Sequence, residues 1–317
     1  MKILVTPTSM QPGKSSKALE ALMAFSNDLL FNTTGKPLTE EELLPLIKDC
    51  DGYIAGLDFV TEKALKSCEH LKVISRYGAG YDRVDIAAAK ALSIPVTNTP
   101  GVNAEAVGEL AFGLILSVAR RIPYLHASTR EGGWVRSTGM ELKGKTIGIL
   151  GLGAIGKVVA RCAKGFDMTI MAYDPYINEA YCKDNAIKAS TFDEVLEQAD
   201  VISLHLPLID STKHLINTAA FAKMKPAAIL VNTSRGGIID EDAAYYALKN
   251  GRLGGLALDA FEIEPPTNSL LFTLNNVVAT PHTGAHTAEA VENMAELSVK
   301  NLIDVLSGNE CPYIVNK

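Results

Sequence analysis

Runs of four or five apolar and β-branched residues recur along the chain, and between them apolar positions fall three or four apart. The runs predict strands at Lys2–Thr6, Gly52–Ala55, Lys72–Ser75, Pro95–Thr97, Thr146–Leu150, Thr169–Tyr173, Val201–His205, Ile229–Asn232, Gly255–Leu258 and Asn276–Ala279. The helical spacing predicts amphipathic segments at Thr39–Lys48, Thr61–Lys66, Ala154–Phe166, Phe192–Gln198, Thr218–Met224, Glu241–Asn250 and Ala288–Leu306. No repeat or low-complexity tract interrupts the alternation, which predicts parallel α/β architecture.

Asn98-Thr-Pro-Gly101 breaks the pattern and predicts a domain boundary. The segment after it, Asn103 to Ile122, is apolar nearly all round, with Glu105, Glu109 and Arg120 almost its only charges. A helix of that kind is buried, either between domains or against a second subunit.

Composition narrows the function classes. A length of 317 residues suggests about two domains. A net charge of −6 without a basic run argues against an extended nucleic-acid or anionic-membrane surface. The longest apolar run, Leu110 to Ala119, falls far short of the ~20 residues that span a bilayer. Met1 to Pro7 reads as a strand rather than a signal peptide, so a soluble, cytoplasmic protein is expected. Five scattered cysteines without CxxC spacing read as reduced thiols. No metal site is expected, since His282 and His286 lack an HExxH frame.

The strand at Thr146–Leu150 runs into Gly151-Leu-Gly153-Ala154-Ile155-Gly156 and then into a helical pattern. A GxGxxG between strand and helix is where dinucleotide chemistry requires it. Gly151 permits the turn, Gly153 leaves room for a pyrophosphate, and Gly156 lets helix and strand pack closely. The helix N-terminus offers N–H groups and a positive dipole end to the phosphates. Asp174 ends the next strand, 18 residues after Gly156 (174 − 156). That is near the ~20-residue offset of an acid that bonds the ribose hydroxyls. Its carboxylate would repel a 2′-phosphate, so NAD is favoured over NADP. Because about 145 residues precede the fingerprint, an earlier α/β unit is expected, with a ligand in the cleft between the two.

Three further segments stand just past predicted strands: Val231-Asn-Thr-Ser-Arg235-Gly-Gly, Asp259-Ala-Phe-Glu-Ile-Glu264-Pro-Pro, and Thr280-Pro-His282-Thr-Gly284-Ala. Reduction of a 2-keto acid needs a cation for the carboxylate, a proton donor for the developing alkoxide and a group that keeps the donor protonated. Each residue also has a structural reading: Arg235 as a surface cation, Glu264 as a solvated loop acid, His282 as a satisfied core imidazole. Their succession at the ligand-binding edge of an open sheet favours the chemical one.

With these residues in view, the sequence resembles the D-2-hydroxyacid dehydrogenase family from about Lys2 to Val305. The motifs are Ser75-Arg-Tyr-Gly-Ala-Gly-Tyr-Asp82, Asn98-Thr-Pro-Gly, Gly151 to Gly156, His205-Leu-Pro, Asn232-Thr-Ser-Arg-Gly-Gly, Glu264-Pro-Pro and Pro281-His-Thr-Gly. Within the family the resemblance is greatest to members that oxidise 3-phosphoglycerate. It implies a catalytic triad of Arg235, Glu264 and His282. Arg235 would bind the substrate carboxylate and keto oxygen, His282 would exchange the proton, and Glu264 would orient it and favour its protonated form. Asp259 would hold the nicotinamide carboxamide. Ala154 and Ile155 would lie at the pyrophosphate, and Leu206, Pro207, Thr233, Ser234 and Gly284 at the nicotinamide end. Backbone N–H groups of Gly78, Ala79 and Gly80 would meet the substrate carboxylate.

The resemblance also implies a Rossmann NAD-binding domain, residues 100–286, inserted into a flavodoxin-like substrate domain, residues 1–99 and 287–317. Both would be doubly wound parallel sheets. The helix from Asn103 and the arm through Trp134 would form a homodimer interface. The chain ends shortly after its last predicted helix, so the regulatory domain of some members is not expected. The stretch Ala55-Gly-Leu-Asp58 lacks the arginine with which some members contact a substrate phosphate. That leaves Arg76 and Arg136 either as phosphate ligands or as surface ion-pair partners. The expected substrate is therefore 3-phosphoglycerate or phosphohydroxypyruvate, with hydroxypyruvate, glyoxylate or another short 2-keto acid as the alternative. A formate dehydrogenase pairs its histidine with glutamine, against Glu264. A NAD-sensing co-repressor of transcription shares the fold and would be a binding module.

Overall fold

Strands such as Gly52–Ala55, Val201–Leu204 and Ile229–Asn232 are buried at every residue. Parallel strands covered by helices on both faces need this continuous apolar character. The computed structural model of the chain describes residues 1–13 and 16–317 and divides into two units.

The first unit comprises Met1–Asn103 and His286–Lys317. Its elements are β1 (Lys2–Val5), α1 (Lys17–Phe25), β2 (Asp28–Phe31), α2 (Glu40–Ile47), β3 (Gly52–Ala55), α3 (Glu62–Lys66), β4 (Val73–Arg76), α4 (Ile86–Ala91) and β5 (Val96–Thr97). The strands form a parallel sheet in the order β2-β1-β3-β4-β5, the flavodoxin-like order. Leu43, Ile47, Tyr53, Leu65 and Ile74 fill one face. Ile3, Val5, Leu22 and Ile54 fill the other, with Val299 and Leu302 from the C-terminal helix Ala288–Leu306. Sequence reading missed β2, an edge strand without a fully buried residue, which pairs with β1.

The second unit, Ala104–Ala285, begins with α5 (Ala104–Ala119) and α6 (Ile122–Arg130). There follow β6 (Thr146–Leu150), α7 (Ala154–Gly165), β7 (Thr169–Tyr173), α8 (Glu179–Asp184), β8 (Ile187–Ala189), α9 (Phe192–Gln198) and β9 (Val201–Leu204). It closes with α10 (Thr218–Lys223), β10 (Ile229–Asn232), α11 (Glu241–Lys249), β11 (Gly255–Leu258) and β12 (Val277–Ala279); the Ala288–Leu306 helix of the first unit is α12. The parallel sheet runs β12-β11-β10-β9-β6-β7-β8. Counted from β6 this is 7-6-5-4-1-2-3, the Rossmann order with one strand added. Its reversal falls between β6 and β9, so ligands belong beyond the carboxyl ends of those strands. The apolar α5 is a core helix of this unit, with Ala111, Phe112, Ile115 and Val118 buried against strand residues Ile149, Val231 and Ala257. In contrast α6, absent from the sequence reading, has no buried residue.

Candidate active site

The glycine turn follows directly from β6. Gly151 sits at φ 99° and donates to Tyr173 O at 2.8 Å. A Cβ on Gly156 would stand 2.2 Å from Gly151 O, whereas one on Gly153 would meet open space. α7 starts at Gly153 without a side-chain cap, unlike α2 and α9, which carry capping boxes. Its first N–H groups therefore face outward from the turn, where phosphate oxygens would satisfy them. Asp174 accepts from Leu152 N and Tyr176 N, each at 2.8 Å, which fixes its carboxylate beside that turn. Ala154 is exposed and Ile155 half-buried at the mouth of the helix.

One residue beyond the paired part of β6, β9, β10, β11 and β12 stand Gly151, His205, Thr233, Asp259 and Thr280. The ladder continues to them through His205 N to Leu150 O, Asp259 N to Asn232 O and Thr280 N to Leu258 O. Alternation along strands puts these side chains on the α5 face, in register with Ile149, Val231 and Ala257. The right half of this row is satisfied. Asp259, 2% exposed, accepts from Thr280 Oγ1 at 2.7 Å and from Thr283 N and Gly284 N at 2.8 Å. The left half is not: Thr233 Oγ1 and His205 Nδ1 are both sealed from solvent without a hydrogen-bond partner. Leaving such groups unpaired is costly. An uncapped helix, an open glycine and orphaned polar atoms along one sheet edge fit a dinucleotide.

His205 was not singled out from sequence; its signal was a histidine within the His-Leu-Pro turn. Its Nε2 pairs with Ser203 Oγ at 2.9 Å, and burial lowers its pKa to about 3. The imidazole is thus neutral across the working range. Below about pH 6.5 the unfolded chain takes up a proton that the folded one refuses, so stability falls as pH drops from there towards 3. At pH 5 the loss reaches at most about 2 kcal/mol. Urea unfolding at pH 7 and pH 5 should show this loss in the wild type and a smaller one in His205→Asn. Equal losses in both proteins would refute the assignment.

Glu264 and His282, expected to act as an acid–base pair, lie on the loops after β11 and β12. His282 Nδ1 meets Glu264 Oε1 at 2.8 Å, with side chains 27% and 19% exposed. Glu264 also accepts from Phe261 N at 3.2 Å, and a cis peptide joins it to Pro265. Arg235 lies on the turn after β10, its Nη1 on Ser234 O at 2.8 Å. Asn232 shapes that turn, accepting from Ser234 N and Oγ and donating to Arg235 O. Behind Arg235 the backbone of Gly236 is pressed against that of Phe261 and Glu262. The turn that carries Arg235 thereby touches the loop that carries Glu264. Leu206 is buried and Pro207 exposed beyond β9.

In the first unit the Gly78–Gly80 loop turns its carbonyl oxygens inward. Gly78 O accepts from Thr99 N, Ala79 O from Asn98 Nδ2 and Gly80 O from Arg76 Nε. In trans peptides this directs the N–H groups of Ala79 and Gly80 the opposite way. Arg76, expected at a substrate phosphate, is only 3% exposed, and its Nη1 donates to Ala55 O at 2.6 Å. Its Nε and Nη1 thus brace the backbone carbonyls of Gly80 and Ala55. Arg136 is exposed on the segment after α6. Asp58, 1% exposed, accepts from Tyr53 OH, Leu38 N and Thr6 Oγ1 and so anchors loops. Among the described residues no group of three or more His, Cys, Asp or Glu could hold a metal, and no helix is long and apolar enough to cross a membrane.

The sequence profile for the D-isomer specific 2-hydroxyacid dehydrogenase NAD binding domain matches residues 112–284. The chain is 43% identical over 283 residues to a D-3-phosphoglycerate dehydrogenase of Methanocaldococcus jannaschii, covering 88% of this chain and 54% of that one. It therefore spans about half the length of that relative. It is 41% identical to a glyoxylate reductase of Thermofilum pendens, covering 100% of this chain and 94% of that one. A D-lactate dehydrogenase from Aquifex aeolicus, crystallised with NAD and lactic acid, superposes with a TM-score of 0.86 at 29% identity, covering 100% and 99% of the two chains.

Proposed function

The chain belongs to the D-isomer specific 2-hydroxyacid dehydrogenases, NAD-dependent oxidoreductases, and from that premise we propose that it interconverts a small 2-hydroxy acid and its 2-keto acid. The observation that carries the proposal is the 2.8 Å contact between His282 and Glu264 at the sheet edge that also bears the glycine turn. NAD, when bound, supplies the hydride acceptor. The remaining chemistry belongs to the side chains. With Nδ1 held by the Glu264 carboxylate, His282 presents Nε2 to the substrate 2-oxygen, taking its proton on oxidation and returning it on reduction. Arg235 grips the carboxylate and the 2-oxygen with a planar fork of donors. Gly151, Gly153, Ala154, Ile155 and Gly156 cradle the pyrophosphate, and Asp174 takes the ribose hydroxyls. Leu206, Thr233 and Ser234 line the nicotinamide end.

We place phosphohydroxypyruvate and 3-phosphoglycerate first among substrates and hydroxypyruvate or glyoxylate second. Of Arg76 and Arg136, Arg136 is the exposed one. Burial of Arg76 weakens the phosphoglycerate case, and the similarity to a glyoxylate reductase supports the second group. A homodimer is proposed through α6 and the segment after it, where Ile122, Trp134 and Val135 are 50%, 80% and 48% exposed.

The deciding experiment is kcat/KM for phosphohydroxypyruvate, hydroxypyruvate and glyoxylate with NADH and NADPH. NADH should be preferred by at least about 100-fold, because the Asp174 charge opposes a 2′-phosphate. Asp174→Ala should narrow that gap, chiefly by weakening NADH. Equal use of both cofactors would remove Asp174 from its role, and turnover of none of the acids would leave a binding module.

A further inference from the structure

We propose that Asp259 is the positioning residue of His282: its buried carboxylate holds the 280–284 turn in the one shape that presents the imidazole to Glu264. The proposal rests on the reading that His282 exchanges the substrate proton.

The turn has little else to hold it. It leaves β12, the edge strand of its sheet, whose three residues are half-buried or exposed. Within it His282 stands at φ 52°, in the left-handed region that a non-glycine residue keeps only when its surroundings impose it. Its own N–H reaches back to Thr280 O at 3.0 Å. Apart from Glu264 on its imidazole, the groups that bracket it converge on one carboxylate. Asp259 Oδ1 takes Thr280 Oγ1 and Thr283 N, and Oδ2 takes Gly284 N. These donors lie on both sides of His282, so the bonds close a clamp around it. Gly284 gives the clamp room to shut, since a Cβ there would press on Asp259 Oδ2 at 3.1 Å and on Val107 at 3.4 Å. Asp259 itself is anchored to the end of β10 through its N–H to Asn232 O. The catalytic histidine is thereby tied to β10 and β11 rather than to the edge strand that carries it.

Family resemblance gives Asp259 a different task, holding the nicotinamide carboxamide, and the two tasks predict different variants. An Asp259→Asn amide must turn its NH₂ either towards Gly284 N or towards Thr280 Oγ1 and Thr283 N, so at least one backbone bond of the clamp is lost whichever way it sits. Thr280→Val removes one clamp bond while keeping shape. Three measurements on the full chain separate the possibilities: kcat, the Kd of NADH from its own fluorescence, and the His282 imidazole NMR signal in ligand-free protein, identified by its loss in His282→Gln. Displacing a reacting group by about 1 Å can cost about 100-fold. Asp259→Asn should therefore lower kcat about 30- to 100-fold, and Thr280→Val about 3- to 10-fold. Both should move the ligand-free His282 signal while NADH Kd changes by less than about 3-fold. An unmoved His282 signal in both variants, or a weakened NADH Kd with kcat retained, would overturn the proposal. If the wild type reduces no 2-keto acid while the His282 signal still moves, the clamp stands and the functional reading falls.

Discussion

Replacing His282 by alanine is expected to lower kcat by about 10²–10⁴, the range for lost general acid–base catalysis, with NADH binding nearly unchanged. The expectation follows from where the imidazole sits. Nδ1 is committed to Glu264 at 2.8 Å, and the ring keeps 27% of its surface exposed, so Nε2 is the atom that can meet a substrate. Nothing in the glycine turn or at Asp174 depends on this side chain, which is why cofactor affinity should survive its removal. Glu264→Gln should give a smaller loss, since the amide oxygen can still accept from Nδ1–H but no longer carries the charge that stabilises an imidazolium. Single-turnover reduction of the preferred acid, beside NADH titration, reads both effects. A His282→Ala protein with wild-type turnover would remove the residue from the mechanism.

Gly236→Ala should be the most damaging single-methyl change in the second unit. A Cβ there would stand 1.8 Å from Phe261 O, 2.0 Å from its carbonyl carbon and 2.5 Å from Glu262 N. These are backbone atoms, so no side-chain rotation relieves the clash and the two loops must part. Overpacking against a fixed neighbour costs about 3 kcal/mol or more. For a unit of this size that lowers Tm by roughly 6–12 °C. Separation of the loops would also part Arg235 from Glu264, so turnover should fall further than stability alone explains. Gly113→Ala, within α5 and with open space at its Cβ, is the control, expected to be neutral or to stabilise by up to about 1 kcal/mol. Equal melting of the two variants would show that the loops yield easily.

The sequence by itself determined what is local. Gly151 to Gly156 carries its own turn, close approach and helix start within six residues, so the pattern sufficed to place it between β6 and α7. Strands buried along their length, such as β3, β10 and β11, were legible to the residue, because burial on both faces forces a continuous apolar run. The edge strands β2 and β8, half-exposed or exposed at most positions, were not. Their strand character comes from a neighbouring backbone rather than from their side chains. The same distinction governs the site. Arg235, Glu264 and His282 could be nominated from their places after strands, but their mutual arrangement depends on strand order, which no run of residues records. Tertiary structure decided that Arg76 faces inward to Ala55 O, and that Gly236 touches Phe261 across 25 residues of chain. It also decided that Asp259 and the His282 turn, 21 or more residues apart, close on one another. In each case the partner is brought near by parallel strands side by side about 4.8 Å apart, a proximity set by the sheet and not by separation along the chain.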